Sequence, residues 1–352
     1  MNVRPGIVAL LLLALVAPAF AGEPTPAAEP AAEAALPALD DALFAFVVEI
    51  AGTGYVVLQR PAPARPAEGA PATILSRSEV AVRWPAATKD LPADRAAWAG
   101  RAVTIHGTDG SVLCRATVAD LHVLVWYEPH MTDSTRWERG DEEGPAPDEA
   151  TFLREASERG SEDADWWLVG RVVPEAGQAC AGAVWARAAD RPAVPLAAAA
   201  VEPDAAFRKA GLKHLRGLAE WERIQSRYRE ERTDGKRSRR WDGHDGATPA
   251  VLVMAGPDDV RWVWAGAQVD EGCGYFAGSA WAVWEVRGGV RGTWTPLAAS
   301  AEGTGWFRPV QAIDLDADRR PEFVGPRILV RPVGPAWAPV ETVEPNSHDC
   351  PC

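Results

Sequence analysis

The sequence lacks the short motifs by which many enzymes can be recognised. It contains no Gly-x-Ser-x-Gly nucleophile elbow, no P-loop, no Gly-x-Gly-x-x-Gly dinucleotide fingerprint and no His-Glu-x-x-His zinc motif. Its 6 histidines are scattered, and no two of them have the spacing of neighbouring metal ligands on one strand or helix. The sequence therefore identifies no catalytic residue.

Positive charge is also scarce. The chain has 36 lysines and arginines against 49 aspartates and glutamates, which gives a formal net charge of −13. Because nucleic-acid binding requires a concentrated positive surface, we expect no nucleic-acid partner.

Long apolar runs are absent after the first 21 residues. Arg4 precedes the apolar segment 7–16, and Ala19-Phe20-Ala21 has the small-x-small pattern that signal peptidase cleaves. The apolar segment is shorter than the roughly 20 residues that a membrane-spanning helix needs. We therefore predict a signal peptide at 1–21, a secreted or periplasmic mature chain, and no stable membrane span after cleavage.

Low-complexity segments divide the remaining chain. Residues 22–38 are rich in Ala, Pro and Glu and cannot bury enough apolar surface to fold, so we predict that they are disordered. A second Ala- and Pro-rich segment, 190–204, is interpreted as a linker. The predicted domains are an N-terminal β-rich domain at 39–189 and, at 205–352, a helix followed by a C-terminal β-meander.

Alternating apolar residues predict a β-meander in the first domain. Val103–His106 and Val112–Val118 flank Asp109-Gly110, a strong hairpin signal, and Leu121–Tyr127 is predicted as a third strand. A short helix is predicted at 148–159, and the predicted strands of the C-terminal half follow one another without intervening helices, which favours antiparallel sheets.

One long helix is predicted between the two domains. Apolar residues recur three or four positions apart between Leu212 and Tyr228, which predicts a single amphipathic helix over 205–230 with Asp204 as its N-cap. The predicted fold class is mainly β (α+β), with two antiparallel β-rich domains joined by this long helix.

A cluster of acidic residues near the C-terminus indicates a metal site. Asp314, Asp316 and Asp318 alternate along the chain, and Glu322 follows four residues later. Such carboxylates can converge on one hard cation, and Ca²⁺ takes 6–8 oxygen ligands. This stretch resembles the Asp-x-Asp-Gly-Asp-Gly-x-x-Asp/Glu loop of FG-GAP and VCBS-type repeats. The resemblance implies a calcium site in which these four side chains and the Arg320 carbonyl are ligands.

Two positions of this loop depart from the family pattern. Ala317 and Arg319 stand where the family prefers glycine, the residue that tolerates positive φ at least cost. Arg319 also brings a positive charge beside the predicted ion. We therefore expect weaker calcium affinity than in the ideal loop; a loop held by hydrogen bonds alone is the alternative.

Five cysteines are compatible with disulfides in an exported protein. Cys114 and Cys180 are the two in the first domain and are predicted to pair. Cys273 is predicted to bond either Cys350 or Cys352 at the C-terminus, which leaves one thiol over.

The C-terminal tail supports a second metal hypothesis. His348, Cys350 and Cys352 offer an imidazole and two thiolates, ligands suited to copper or zinc. The whole chain is also similar to exported proteins of GC-rich bacteria that end in Asp-Cys-Pro-Cys, a likeness that implies no activity.

Tryptophan is unusually abundant, with 16 residues. Trp262 and Trp264 lie on one face of a predicted strand, and Trp281 and Trp284 lie on the next one. Exposed, they would form a glycan-stacking platform; buried, they would fill a sheet core. Both interpretations stand at this point.

These patterns favour an exported, non-enzymatic binding or structural protein with a calcium-stabilised loop. Its expected partners are glycans or proteins of the cell envelope or the extracellular space. The alternatives are a secreted hydrolase acting on glycans or envelope material, and a periplasmic copper- or zinc-binding protein.

We expect the exported protein to begin at Gly22, because signal peptidase requires small residues at positions 19 and 21. Intact-mass measurement of the secreted or periplasmic material checks this. Ala21→Phe should leave the precursor uncut, whereas Phe20→Leu should be cleaved normally. Wild-type protein that retains residues 1–21 after export would contradict the prediction.

Overall fold

β-strands make up most of the regular structure. The computed structural model describes residues 43–66, 69–128, 136–140, 144–162, 166–194, 196–231, 240–244, 246–270, 276–301, 305–343 and 345–347. The strands are β1 (Ala45–Ile50), β2 (Thr53–Gln59), β3 (Thr73–Ser76), β4 (Ala81–Pro85), β5 (Ala102–His106), β6 (Val112–Glu128), β7 (Trp166–Pro174), β8 (Trp185–Ala188), β9 (Leu196–Ala199), β10 (Ala250–Ala255), β11 (Arg261–Asp270), β12 (Ala277–Arg287), β13 (Thr293–Ala299), β14 (Gln311–Asp314), β15 (Glu322–Val324), β16 (Ile328–Val333), β17 (Ala336–Thr342) and β18 (Asn346–Ser347). The helices are α1 (Ala93–Ala96), α2 (Glu149–Glu162), α3 (Ala205–Leu215) and α4 (Ala219–Glu231). The predicted signal peptide and the predicted disordered segment 22–38 lie outside the described residues.

Six strands of the N-terminal half close into an antiparallel barrel in the order β5, β8, β1, β2, β7, β6. The face that all six share is lined by small and medium apolar side chains such as Val47, Val56, Ile105 and Val118. The opposite face carries exposed residues, including Arg115. The first set therefore forms the barrel interior.

The predicted hairpin at 103–118 is present, but the third strand predicted at Leu121–Tyr127 is not separate. It continues β6, which bends where its pairing with β7 is interrupted between Val118 and Leu121. The first part of β6 pairs with β5 and the second part pairs with β4. One continuous strand therefore pairs with β5 at its start and with β4 at its end, because a bulge changes strand direction without a turn.

The single long helix predicted over 205–230 is wrong. The structure has two helices, α3 and α4, separated at Arg216–Leu218. Gly217 lies in the break, and glycine costs about 1 kcal/mol relative to alanine inside a helix. The predicted N-cap is confirmed, since the Asp204 carboxylate accepts a hydrogen bond from the Phe207 amide at 2.9 Å.

Two further antiparallel sheets form the C-terminal half. Strands β10 to β13 make a four-stranded meander, and α3 and α4 pack on one face of it through an apolar core that includes Phe207, Trp221 and Ile224. A five-stranded sheet in the order β17, β16, β15, β14, β9 packs on its other face. The helices therefore cover the outer face of this sheet.

The five-stranded sheet also packs against the barrel. Ile313, Val324 and Leu329 lie in one core with the barrel residues Phe46 and Trp185. The predicted linker contains β9, which pairs with β14. The described residues belong to one compact unit, Ala38–Cys352, and the predicted two-domain arrangement is not confirmed.

No helix in the described part of the chain is long and apolar enough to cross a membrane.

The predicted disulfide between Cys114 and Cys180 is confirmed. Cys114 is buried in the barrel interior, and Cys180 packs against the same core from the loop before β8. The bond therefore ties a long loop to the barrel.

Loss of this disulfide should destabilise the chain. The bond spans 66 residues, and cross-links of this kind contribute about 2–4 kcal/mol to stability. We expect Cys114→Ser/Cys180→Ser to lower the free energy of unfolding in urea by about that amount. Cys180→Ser alone should cost about as much, because it removes the same bond. An unchanged free energy of unfolding in both variants would contradict the prediction.

Candidate metal centre

The predicted calcium loop connects two buried strands of the five-stranded sheet. Residues 315–321 link β14 to β15, which pair antiparallel with Ile313 opposite Glu322. Asp314 and Glu322 are buried, at 5 % and 2 % exposure, whereas Asp316 and Asp318 are exposed. The predicted ligands therefore lie at the boundary between the core and solvent.

The loop backbone is held by its own carboxylates. Asp314 accepts a hydrogen bond from the Arg319 amide at 3.2 Å, and Asp316 accepts one from the Asp318 amide at 3.2 Å. Asp318 accepts another from the Arg320 amide at 2.7 Å. These bonds curl the chain so that alternate aspartates point to one side.

This curl requires positive φ at two non-glycine residues. Ala317 has φ 65° and Arg319 has φ 68°, a region that costs an L-residue about 1 kcal/mol or more. They are the two positions at which the resembling loops carry glycine.

Three of the predicted ligands meet. Asp314, Asp316 and Asp318 each offer a carboxylate oxygen, and these oxygens lie within 4.8 Å of one another. Asp314 Oδ1 is buried without a hydrogen-bond partner in the described structure. A buried, unpaired carboxylate oxygen is costly, and a cation shared with the other two aspartates would satisfy it. The residues thus fit a hard metal ion.

Glu322 takes a different position from the one predicted. It is not a member of the three-aspartate group, and its Oε2 accepts a hydrogen bond from the Leu315 amide at 3.0 Å. The Arg320 guanidinium lies over the Trp337 ring at 4.6 Å, and no described contact tests its carbonyl as a ligand. Glu322 therefore supports the start of the loop from within the core.

Burial opposes ionisation of both inner carboxylates. Burial raises the pKa of Asp314, and the nearby charges of Asp318 and Asp316 raise it further, against the backbone hydrogen bonds. Burial also raises the pKa of Glu322 from 4.5 to about 7, opposed mainly by the Leu315 amide. For Asp314, a cation shared with Asp316 and Asp318 would compensate the negative charge that burial opposes, whereas Glu322 lies outside that group.

The tryptophan platform is not formed. The exposures of Trp262, Trp264, Trp281 and Trp284 are 2, 0, 0 and 4 %. The first three lie in the core between the two C-terminal sheets, and Trp284 lies in the core beneath α3 and α4. The glycan-stacking hypothesis for these rings is therefore wrong, because no ring face is free for a sugar.

The remaining cysteine predictions cannot be placed. Cys273, Cys350 and Cys352, together with His348, lie outside the described residues. The disulfide between Cys273 and the C-terminus and the copper or zinc hypothesis stay predictions.

A hydrolase needs carboxyl groups that face substrate. One cavity of about 310 Å³ is lined by two of them, Glu202 and Asp204, beside Phe207 and Arg261. Glu202 pairs with Arg208 at 2.8 Å, and Asp204 caps α3. Both carboxylates of this cavity are therefore engaged in local structure.

A polar cluster on the outer face of the barrel was not identified from the sequence. Tyr55, Arg83, Asp120, His122 and Arg171 come from four strands and contact one another. Their only sequence signal is polar residues on strands that are otherwise apolar.

No protein-family model, curated protein or solved structure matches this chain.

Glu322 should make stability fall as pH rises. It keeps its proton to a higher pH in the folded chain than in the unfolded chain, so raising the pH from about 4.5 to about 7 favours unfolding. The contribution is at most about 3 kcal/mol. Urea unfolding at pH 4.5 and 7.5 with a metal chelator measures it.

Glu322→Gln should remove this contribution, since glutamine stays neutral and can still accept the Leu315 hydrogen bond. Glu230→Gln removes a carboxylate at an exposed position of α4 and serves as the control. The same pH dependence in wild type and Glu322→Gln would show that the carboxyl group is not responsible.

Proposed function

We propose that this chain is an exported, non-enzymatic binding or structural module whose β14–β15 loop binds Ca²⁺. The observation that supports calcium most directly is the convergence of three aspartate oxygens within 4.8 Å around the unpaired, buried Asp314 Oδ1. Calcium suits this loop because it accepts irregular geometry and completes its shell of 6–8 oxygens with carbonyls and water. Magnesium demands a stricter octahedron.

The ion would act on the junction between the barrel and the five-stranded sheet. The buried Arg187 of barrel strand β8 donates a hydrogen bond to the Leu315 carbonyl at 3.4 Å. Leu315 itself packs in the core that the barrel and this sheet share. A cation that fixes residues 314–318 therefore stabilises the docking of one layer on the other.

The predicted export agrees with the same proposal. The Cys114–Cys180 disulfide is typical of oxidising compartments, and the predicted signal peptide would deliver the chain there. Calcium outside the cytoplasm is abundant enough for a loop of modest affinity. We propose a secreted or periplasmic location, with a partner in the cell envelope or the extracellular space.

Calcium should raise the stability of the wild-type protein. At a free concentration about 100 times Kd, binding to the folded state alone adds about 2.7 kcal/mol. We expect thermal unfolding followed by circular dichroism to shift upwards with Ca²⁺ after chelator treatment, and to shift less with Mg²⁺.

Asp316→Asn tests the site, because the amide oxygen can still accept the Asp318 hydrogen bond while the charge is lost. We expect at least a tenfold loss of calcium affinity, which corresponds to about 1.4 kcal/mol. Asp259→Asn, in an exposed turn at φ 59°, is the matched control. Calcium that leaves wild-type unfolding unchanged, or that stabilises Asp316→Asn equally, would overturn the proposed site.

A further inference from the structure

The polar cluster on the barrel surface combines two arginines with one carboxylate. It spans four neighbouring strands, β4, β6, β7 and β2, with Arg171 directly opposite Tyr55. Arg83 comes from β4, and Asp120 and His122 come from β6. The side chains of Arg171 and Asp120 are 35 % and 46 % exposed and Arg83 is half-buried, whereas Tyr55 and His122 are buried. The cluster therefore reaches solvent through its arginines and its carboxylate.

Arg171 forms an ion pair with the Asp120 carboxylate. Its Nε and Nη2 donate to the two oxygens of Asp120 at 2.8 and 3.1 Å, a bidentate pair. The hydrogen bonds from Arg171 are the main cause of the lowered pKa of Asp120. Asp120 is thus ionised and fully matched by one guanidinium.

His122 does not compensate the second arginine. Burial, followed by the charge of Arg83, lowers the pKa of the imidazole, so it is neutral at physiological pH. Its Nε2 lies 3.2 Å from Asp120 Oδ1, and because the carboxylate can only accept, Nε2 carries the proton. The same nitrogen therefore cannot accept from Arg83, although Nη1 is 3.4 Å away.

Arg83 is left with one acceptor. Its Nη1 donates to the Tyr55 hydroxyl at 3.2 Å, and within the described part of the chain no carboxylate lies within ion-pair distance of it. Tyr55 is fully buried, and burial raises the pKa of its phenol, so the hydroxyl stays neutral and brings no negative charge to Arg83. Two guanidiniums against one carboxylate leave one positive charge, in a chain of net charge −13.

We propose that the half-buried Arg83, held in place by the buried Tyr55 hydroxyl, binds a small oxyanion, a carboxylate or a phosphate group, on the outer face of the barrel. A guanidinium presents several N–H donors in a plane that matches either group, and a charge-assisted bond of this kind is about twice as strong as a neutral one. The anion would neutralise the cluster and occupy the donors of Arg83. This site is independent of the calcium loop.

Isothermal titration of the full-length mature protein with inorganic phosphate and, separately, with acetate tests the proposal. We expect millimolar binding of at least one anion, and the stronger of the two identifies the ligand as phosphoryl or carboxylate. Arg83→Gln should weaken binding at least about tenfold, because it removes the charged donor.

Tyr55→Phe keeps the buried ring and removes only the hydroxyl that holds Arg83 in place, so it tests the site without a large change in packing. We expect about threefold weaker binding or more. Arg115→Gln removes an exposed guanidinium elsewhere on the same barrel and should bind as wild type does. Failure of both anions to bind wild type, or equal binding by wild type and both site variants, would overturn the proposal.

Discussion

The five-stranded sheet is buried on both faces, and this double burial holds the barrel and the β10–β13 sheet together. Neighbouring residues of a strand point to opposite faces, so Ile313 and Val324 enter the core shared with the barrel, while Ala312 and Phe323 enter the core shared with the β10–β13 sheet. A one-residue shift of register would exchange the two sets. Two cores therefore specify the register of β14 and β15 together.

This double burial determines the electrostatics of the acidic loop. Asp314 ends β14 and Glu322 begins β15, so both carboxyl groups are drawn into the core by the strands that carry them. Asp316 and Asp318 stay in solvent close to Asp314. A charge at this boundary costs free energy unless it is matched, which is the physical basis of the calcium proposal. The arginine cluster of the barrel presents the same situation with opposite sign.

Local sequence patterns predicted the structure correctly where contacts between residues close in the chain determine it. The hairpin around Asp109-Gly110 and the Asp204 cap depend on contacts a few residues apart. The apolar periodicity over 205–230 predicted one helix where there are two. Two helices that pack on the same sheet can show the apolar spacing of a single helix. The bend in β6 was missed because a bulge leaves no strong signal in the alternation.

The mainly β class, the alternating aspartates and the pairing of Cys114 with Cys180 could all be predicted from the sequence. The burial of four prominent tryptophans could not, because exposure depends on which sheet covers a face. Only the tertiary structure joined Arg83 to Tyr55 and His122, which are 28 and 39 residues away along the chain. Strand order brings such residues together, and no local pattern encodes strand order in a barrel whose sequential neighbours are often separated.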